Sequence, residues 1–443
     1  MTSIGAANLK SHDDNRLGQG SNGVTIRPRV AMVQDGARLH YAIPLALQRA
    51  GILERVFTSY YVTPGSPADL AGRVIAKFNR PLGQRMLQRR CDELDHRKVV
   101  QNPWLGFREY LSRPGVTHSI EHMQRTSGWY GRWIRRKGLG QANALMGFLR
   151  NVDPGLLEHC RGRGMAVVGE QTTAPVAAEI HEITLQHQRW PGWEPKMSLD
   201  DIQRFEPLQA RNWKAVHHIT CASEYVRDGI VAQGVRPERI SVIPYPFNGS
   251  KSAVFDRTHR SGPLTVGMVG SASLRKGAPY FFEVARRFRP SEARFVLIGK
   301  IALEPSMVER HRGHVELIGA VSRREVERWL GQFDVFFFPA TCEGSAGSVI
   351  EAMASCLPVV TCPNSGTYAR DGIEAFIRPY DDIAGCEECI RRLLEDGQLR
   401  SQMGLEARRR VETYDIDFYS RSISHLFSTL VNMPALKDAE PCG

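Results

Sequence analysis

The sequence predicts an α/β protein of two Rossmann-like, doubly wound domains that face a cleft. Short runs that are almost entirely apolar, such as 29–33, 165–169 and 264–270, have the composition of parallel strands buried on both faces. Segments with helical spacing follow these runs, and alternation of strands and helices is typical of a doubly wound parallel sheet. A polar stretch at 248–263 separates two such series, which indicates two domains.

The first half contains three predicted strands and one clearly predicted helix. The first strand ends near Gly36, and the second leads into a polar loop that begins with Glu170 and Gln171. Basic segments at 64–150 have helical spacing, but their order is not predicted. The predicted strands are 29–33, 165–169 and 240–243, and the helix is 43–51.

The second half has a more regular pattern. Apolar runs of four to seven residues recur there, with helical spacing between them. The predicted strands are 264–270, 294–299, 315–318, 334–338, 358–361 and 376–379, and the first helix is 279–288.

These patterns predict the domain boundaries. The predicted segments are a flexible tail at 1–23, a first domain at 24–247, a linker at 248–263, a second domain at 264–412, a helix at 413–432 and a tail at 433–443.

The length and composition exclude several classes of protein. A chain of 443 residues, 42% of them hydrophobic and 24% charged, can bury a core and is not a disordered polymer. No run approaches the roughly 18 apolar residues of a membrane-spanning helix. The first 23 residues have no apolar segment typical of a signal peptide, so we expect a cytoplasmic protein.

The cysteines predict neither a disulfide framework nor a metal site. There are nine, an odd number, spread along the chain without regular spacing, which is typical of reduced thiols. Cys386 and Cys389 form a Cys-x-x-Cys pair, but no second pair lies near them in the sequence.

The positive charge is confined to the first half of the chain. The net charge is +11, and residues 1–262 hold 36 Lys and Arg against 23 Asp and Glu. This excess favours an anionic acceptor or an anionic membrane surface as a partner. Residues 129–137 interleave aromatic and basic side chains, which suits either a membrane-interfacial segment or a solvated basic face over a local core.

Two glutamates, Glu343 and Glu351, lie around the predicted start of a helix that follows an apolar strand. Small residues between them allow a ligand to approach the backbone, and the helix would direct its free N–H groups toward an anion. Both carboxylates could then bind sugar hydroxyls. Alternatively, Glu351 is an ordinary helix-surface residue and Glu343 interacts with the helix dipole.

A second candidate loop, 270–277, also joins a strand to a helix. It places the adjacent cations Arg275 and Lys276 beside glycines. Cations in such a position could stabilise the charge that develops on a departing diphosphate, although a loop of this composition is often only solvated. Two such loops in one domain favour a nucleotide-sugar site.

Three segments of the second half together resemble the retaining glycosyltransferases of the family-4 type, which have the GT-B fold. Glu343 and Glu351 form an E-x7-E motif. Residues 351–360 are similar to the EAMA-x-G-x-PVV run of that family, and 371–377 are similar to its DG-x-x-G-F-L segment. The resemblance covers essentially residues 29–430 and implies a terminal helix that crosses back to the first domain.

The resemblance also implies roles for individual residues. Glu351 would hold the ribose hydroxyls, Glu343 the donor sugar and Lys276 the diphosphate. No metal or cofactor is implied, and the nucleoside diphosphate sugar is a co-substrate. The implied donor-binding residues are Gly270, Ser271, Arg275, Lys276, Gly344, Ser345, Ala346, Gly347, Ser348 and Glu351.

This chain departs from the family pattern at several positions. Ser271 stands where the family usually has arginine, and we hypothesise that Arg275 supplies that cation. Cys356 and Pro246 replace glycines. A family histidine in the second N-terminal motif is replaced by Glu170 or Gln171.

The acceptor side is predicted from the first domain, at Gly36, Glu170 and Gln171. His40, which follows the first strand, is a candidate catalytic residue, although a histidine here could equally be a structural hydrogen-bonding group. Asp415 and Asp417 resemble a metal-binding DxD motif, but their place before an amphipathic segment favours helix capping.

The predicted function is transfer of a sugar from a nucleoside diphosphate donor to a saccharide or lipid-linked acceptor in polysaccharide, lipopolysaccharide or glycolipid biosynthesis. The expected location is cytoplasmic, with peripheral membrane association as a further expectation. Two alternatives remain: a basic nucleic-acid-binding protein, for which no recognition motif is present, and a hydrolase or epimerase acting on the nucleotide sugar.

Overall fold

Two parallel β-sheets form the framework of the protein. The structure is a computed structural model that describes residues 25–111, 120–195, 199–247 and 263–433. The predicted tail at 1–23 lies outside the described residues, as do all but the last residue of the predicted linker and all but the first of the C-terminal tail.

The first sheet has seven strands in the order β3-β2-β1-β4-β5-β6-β7, and every pair is parallel. The chain builds outward from β1 in one direction and then restarts at β4 on the other side, so the strand order reverses between β1 and β4. The strands are β1 (Val30–Val33), β2 (Leu53–Thr58), β3 (Val99–Gln101), β4 (Ala144–Phe148), β5 (Ala166–Gln171), β6 (His218–Cys221) and β7 (Ile240–Val242).

Helices cover both faces of this sheet. The inner strands are buried on both sides, which explains why β1, β4 and β5 are apolar along nearly their whole length. The helices are α1 (Ala42–Arg49), α2 (Pro67–Phe78), α3 (Arg80–Leu87), α4 (Pro103–Leu111), α5 (Ile120–Lys137), α6 (Pro154–Gly162), α7 (Val176–Arg189), α8 (Asp200–Gln203), α9 (Glu206–Ala215) and α10 (Glu224–Val231).

The second sheet has six parallel strands in the order β10-β9-β8-β11-β12-β13, and its order reverses between β8 and β11. Its strands are β8 (Leu264–Val269), β9 (Ala293–Ile298), β10 (Glu316–Gly319), β11 (Val335–Phe338), β12 (Val359–Thr361) and β13 (Ala375–Ile377). Its helices are α11 (Ala278–Ala285), α12 (Pro305–Arg310), α13 (Arg323–Gln332), α14 (Gly347–Ala354), α15 (Ile383–Glu395) and α16 (Gly397–Thr413).

The last helix, α17 (Ile416–Val431), returns to the first domain. Its apolar face, which includes Tyr419, Ile423 and Phe427, is fully buried in the core that also contains α1. Ser420 donates a hydrogen bond to the carbonyl of Ala46 at 2.9 Å. The predicted crossing helix and the two-domain α/β fold are thus confirmed.

Asp415 and Asp417 act at the start of this helix. Asp415 is its N-cap and accepts a hydrogen bond from the amide of Phe418 at 2.7 Å, while Asp417 pairs with Arg49 at 3.0 Å. The preference for capping over a metal-binding motif is therefore confirmed for Asp415.

All six strands predicted in the second half are present, with ends that differ by one or two residues. In the first half, β2, β3, β4 and β6 were not predicted, and β5 is longer than expected, because Glu170 and Gln171 belong to the strand. Among the described residues, no helix is long and apolar enough to cross a membrane.

Candidate active site

The carboxyl ends of β8 and β11 meet where the strand order of the second sheet reverses. Ligands of open α/β sheets bind in the crevice at such a reversal. The loop after β8 contains Gly270 and Ser271 and leads to Arg275 and Lys276. The loop after β11 leads through Glu343 to α14. The fold therefore brings the two predicted donor loops together.

Arg275, Lys276 and Glu343 form one ion cluster. Glu343 Oε1 lies 2.8 Å from Arg275 Nη2 and 2.8 Å from Lys276 Nζ. Burial lowers the pKa of Lys276, although the carboxylate of Glu343 opposes this shift. Glu179 Oε1 lies 4.0 Å from Arg275 Nη1, but Glu179 also pairs with Arg150, so the three cations outnumber the two carboxylates near the predicted diphosphate position.

A pocket of about 450 Å³ lies between the two domains. Glu351 lines it and accepts a hydrogen bond from Arg323 Nη2 at 3.1 Å. Burial raises the pKa of Glu351, while the guanidinium of Arg323 opposes the rise. Facing them from the first domain, His40 Nε2 lies 3.4 Å from Arg323 Nη1. The structure thus brings Glu351 and His40 to one pocket.

The start of α14 forms part of this pocket. Ser345 and Gly347 line it, and the hydroxyl oxygen of Ser345 is buried with no hydrogen-bond partner among the described residues. Ala346 is the N-cap of α14 and is buried, and Ser348 lies in the first turn. The free N–H groups of this turn favour an anionic or strongly polar ligand.

The first domain holds the loop before α14 by direct contact. Ser223 donates a hydrogen bond to the carbonyl of Gly344. A Cβ placed on Gly344 would lie 2.0 Å from the carbonyl oxygen of Thr172, so only glycine fits between the two domains here. The glutamate motif is therefore positioned by both domains.

His40 lies in a strained segment. Leu39, His40 and Tyr41 have φ values of 49°, 50° and 62°, in the left-handed region that side chains other than glycine rarely adopt. Tyr41 is fully buried and makes an edge contact with Tyr61 at 5.3 Å between ring centroids, which helps to hold this conformation. Burial, and then the guanidinium of Arg323, lower the pKa of His40.

Glu170 and Gln171 do not face the cleft, contrary to the prediction for the acceptor side. Both are buried in β5. Glu170 accepts hydrogen bonds from Tyr245 and Thr220, and burial raises its pKa to about 7. Because β5 extends through them, the cleft is lined instead by the next residues, Thr172 and Thr173.

Gly36, the third residue predicted for the acceptor side, does not line the interdomain pocket. It has a φ of 74° and lines a cavity inside the first domain, beyond the interdomain pocket. Cys356, which replaces a family glycine, also adopts a left-handed φ of 55°. The backbone geometry at Cys356 is thus one that normally favours glycine.

Residues 129–137 lie in α5, with their aromatic side turned inward. Tyr130 and Ile134 are buried, and Trp133 packs against the core of the first domain. The guanidinium carbon of Arg108 lies 4.0 Å from the centroid of a Trp129 ring. The exposed residues of this segment are basic, which is the arrangement expected of a solvated basic face over a local core.

Three groups of site residues were not predicted from the sequence. Arg323 at the start of α13, Arg38 after β1, and the pair Thr172 and Thr173 all line the interdomain pocket. Arg38 and the two threonines each follow a predicted strand, which could have indicated their role, whereas Arg323 has no such signal. No group of three or more His, Cys, Asp or Glu suited to a metal ion occurs in the described part of the chain.

Comparison with known proteins connects this site with a class of enzymes. The family model described as Glycosyl transferases group 1 matches residues 263–396, from β8 through α15, and includes both motif glutamates. The amylovoran biosynthesis glycosyltransferase AmsK of Erwinia amylovora is 25% identical over 199 residues. That match covers 42% of this chain and 49% of AmsK, so the chain spans about half the length of this relative.

Two solved structures resemble the whole fold. HepE of Anabaena, in complex with UDP-glucose, shares 14% identity at a TM-score of 0.54, covering 91% of this chain and 100% of that one. WaaG, a glycosyltransferase involved in lipopolysaccharide biosynthesis, shares 14% identity at a TM-score of 0.57, covering 90% and 99%. At these identities the likeness shows the fold alone, which is GT-B, as predicted.

Proposed function

We propose that the protein is a glycosyltransferase that moves a sugar from a nucleoside diphosphate sugar to a saccharide or lipid-linked acceptor in polysaccharide, lipopolysaccharide or glycolipid biosynthesis. The observation that carries this proposal is the position of Glu351 and the Glu343 cluster at the reversal point of the second sheet, beside an interdomain pocket. The match of this domain to Glycosyl transferases group 1 supports it.

The donor occupies the second domain. Glu351 accepts hydrogen bonds from the ribose hydroxyls, and Glu343 binds the sugar. Arg275 and Lys276 support the diphosphate, which gains negative charge as the glycosidic bond breaks. Both cations contact Glu343 at 2.8 Å. Glu343 therefore links the bound sugar to the two cations that hold the diphosphate leaving group.

The reaction retains the anomeric configuration and needs no divalent metal. These two features come from the resemblance to the family-4 type, as does front-side attack with the departing phosphate taking the acceptor proton. His40 lies on the opposite wall of the pocket, where its uncharged imidazole can form a hydrogen bond with the sugar or acceptor. Product NMR and activity in the presence of a chelator test retention and metal independence.

The protein acts in the cytoplasm and binds the membrane surface through α2. Leu70, Val74 and Phe78 recur at intervals of four residues on this helix and are 66%, 45% and 89% exposed. Arg73 and Lys77 are also exposed on this helix. An apolar stripe accompanied by cations has the composition of an interfacial helix on anionic lipid.

A thermal-shift screen across nucleoside diphosphate sugars tests the donor assignment. A specific ligand raises the melting temperature because it binds only the folded state. We expect Glu351→Gln to weaken binding of the best donor at least about 10-fold, equivalent to 1.4 kcal/mol. Glu395→Gln, an exposed change at the end of α15, is the matched control.

Two results would contradict the proposal. One is the absence of stabilisation by any nucleoside diphosphate sugar. The other is a product mixture that contains only hydrolysed or epimerised donor when acceptor fractions are supplied, which would indicate a hydrolase or epimerase.

A further inference from the structure

A second cavity, of about 390 Å³, lies inside the first domain. It opens at the carboxyl ends of β1 and β4, where the strand order of the first sheet reverses, and the inner side of α5 covers it. A reversal point is the usual ligand position of an open α/β sheet. The cavity is thus the counterpart, in the first domain, of the donor site in the second.

The cavity adjoins the interdomain pocket. Arg38 and Phe148 line both spaces, and the guanidinium carbon of Arg38 lies 5.4 Å from the centroid of the Phe148 ring. A ligand in the inner cavity could therefore extend past Arg38 to the pocket that contains Glu351 and His40.

Two cations in the cavity have no carboxylate partner. Arg38 Nη2 donates to Asn151 Oδ1 at 2.9 Å, and Arg89 Nη1 donates to Ser59 Oγ at 3.5 Å. Among the described residues, no carboxylate oxygen lies within 4.0 Å of either guanidinium. Burial lowers the pKa of Arg38, and the nearby carboxylate of Asp35 opposes this shift without forming an ion pair with it.

The third arginine of the cavity is already neutralised. Arg150 Nη1 pairs with Glu179 Oε2 at 3.0 Å. Arg38 and Arg89 thus differ from Arg150, and an unpaired guanidinium that lines a cavity is suited to a planar, bidentate oxyanion.

Two acids face the cavity. Asp153 is the N-cap residue of α6, and burial raises its pKa, a shift that the nearby guanidinium groups of Arg135 and Arg132 oppose. Asp35 accepts a hydrogen bond from Ser59 Oγ at 2.5 Å and has further lone pairs. Because Asp153 lies near Arg132 and Arg135, Asp35 is the one acid of this pair that acts on Arg38, so the two cations Arg38 and Arg89 outnumber it.

We propose that this cavity binds the acceptor and that the acceptor is a hydroxylated anion. Arg38 and Arg89 hold its phosphate or carboxylate group, and Asp35 accepts a hydrogen bond from one of its hydroxyls. This inference rests on the proposed glycosyltransferase function, and it adds the chemical class of the acceptor.

Calorimetric titration of the full-length protein tests the inference. The protein is first saturated with UDP or the best nucleoside diphosphate of the screen, so that the donor cations are occupied. sn-Glycerol 3-phosphate is the phosphate probe, glucuronate the carboxylate probe and glycerol the uncharged control. We expect one or both anions to bind and glycerol not to bind.

The variants locate the binding site. Arg38→Gln and Arg89→Gln should each weaken anion binding at least about 10-fold, and Arg89→Lys, which keeps the charge, should recover part of it. Arg163→Gln removes an equal charge from an exposed residue after α6 and should leave the affinity unchanged. Circular dichroism and melting curves establish that each variant is folded, and Arg89→Lys provides the readout if a glutamine variant does not fold.

The outcomes are distinct. Anion affinity that is absent, or equal in the wild type and the arginine variants, overturns the inference. Anion affinity lost in Lys276→Gln but kept in Arg89→Gln also overturns it, because the anion would then occupy the donor cluster. If no nucleoside diphosphate binds, the proposed function fails, while the dependence of anion binding on Arg89 is still measured.

Discussion

Ser223 of the first domain donates its hydroxyl hydrogen to the carbonyl oxygen of Gly344 in the second. The two residues are 121 positions apart in the chain, and the bond is buried. It ties β6 and α10 to the loop that contains Glu343. The relative position of the two domains therefore determines the backbone geometry of the candidate donor loop.

Gly344→Ala should disturb both the site and the fold. The new Cβ would lie 2.0 Å from the carbonyl oxygen of Thr172, a backbone atom that cannot rotate away. Overpacking of this kind costs about 1–3 kcal/mol, so we expect a melting temperature several degrees lower and weaker donor binding. Gly347→Ala is the stability control, because a Cβ there meets nothing within 4 Å. Equal melting temperatures for the two variants would refute the interdomain contact.

Glu343→Gln should separate binding from turnover. The change leaves Arg275 and Lys276 without their carboxylate, so affinity for a nucleoside diphosphate should stay the same or increase. Sugar transfer should fall at least about 10-fold, because the amide cannot replace the charge-assisted hydrogen bond to the sugar. Calorimetry and initial rates measure the two effects. A parallel loss of nucleotide affinity would show that Glu343 is needed to organise the cations.

Glu170 should make the stability of the protein depend on pH. Burial raises its pKa from 4.5 to about 7, so the folded state binds the proton more tightly than the unfolded state. Its contribution to stability is therefore present below about pH 4.5 and is lost as the pH rises toward 7, by about 3 kcal/mol at 1.36 kcal/mol per unit. Glu170→Gln should remove this component.

Urea unfolding at pH 5 and pH 8 measures the effect as a difference between wild type and variant. Glu395→Gln, a change at an exposed residue, should show the same change in unfolding free energy between pH 5 and pH 8 as the wild type. If the unfolding free energy of Glu170→Gln changed with pH as much as that of the wild type, the Glu170 carboxyl would stay ionised in the folded protein.

The double substitution Leu70→Ser, Phe78→Ser should reduce binding to vesicles that contain anionic lipid. Both side chains are exposed, and burying one apolar side chain of this size is worth about 1.5–3 kcal/mol. We expect at least a 10-fold loss in a sedimentation assay. Leu405→Ser, which removes an exposed leucine of the second domain, is the control. If the wild type does not bind vesicles, the membrane part of the proposal is wrong.

The sequence allowed the second domain to be predicted more fully than the first, and the strands explain why. Strand β11 reads Val-Phe-Phe-Phe and is buried throughout. By contrast, β2 contains Glu54 and Arg55, and Glu54 pairs with Arg29 at 2.8 Å, so the apolar pattern of this strand is interrupted. Strand β3 has only three residues and lies at the sheet edge.

The candidate site was predicted where it depends on local motifs. Glu343 and Lys276 lie in loops that follow strands the sequence reveals, and Glu351 lies in the helix that follows the first of these loops. The contact of Arg323 with His40 joins residues 283 positions apart and exists only because the two domains face each other. Glu170 was misplaced because its polar side chain suggested a loop, whereas Thr220 and Tyr245 satisfy its carboxyl within the domain.

The return of α17 has a consequence for the order in which the protein can fold during synthesis. Ile423 and Phe427 complete a core that otherwise belongs to the residues made first, including Ile43 and Leu47. Chains leave the ribosome from the N-terminus. The domain that is synthesised first thus keeps an uncovered apolar face until the whole second domain has been translated, and it is the last to be completed.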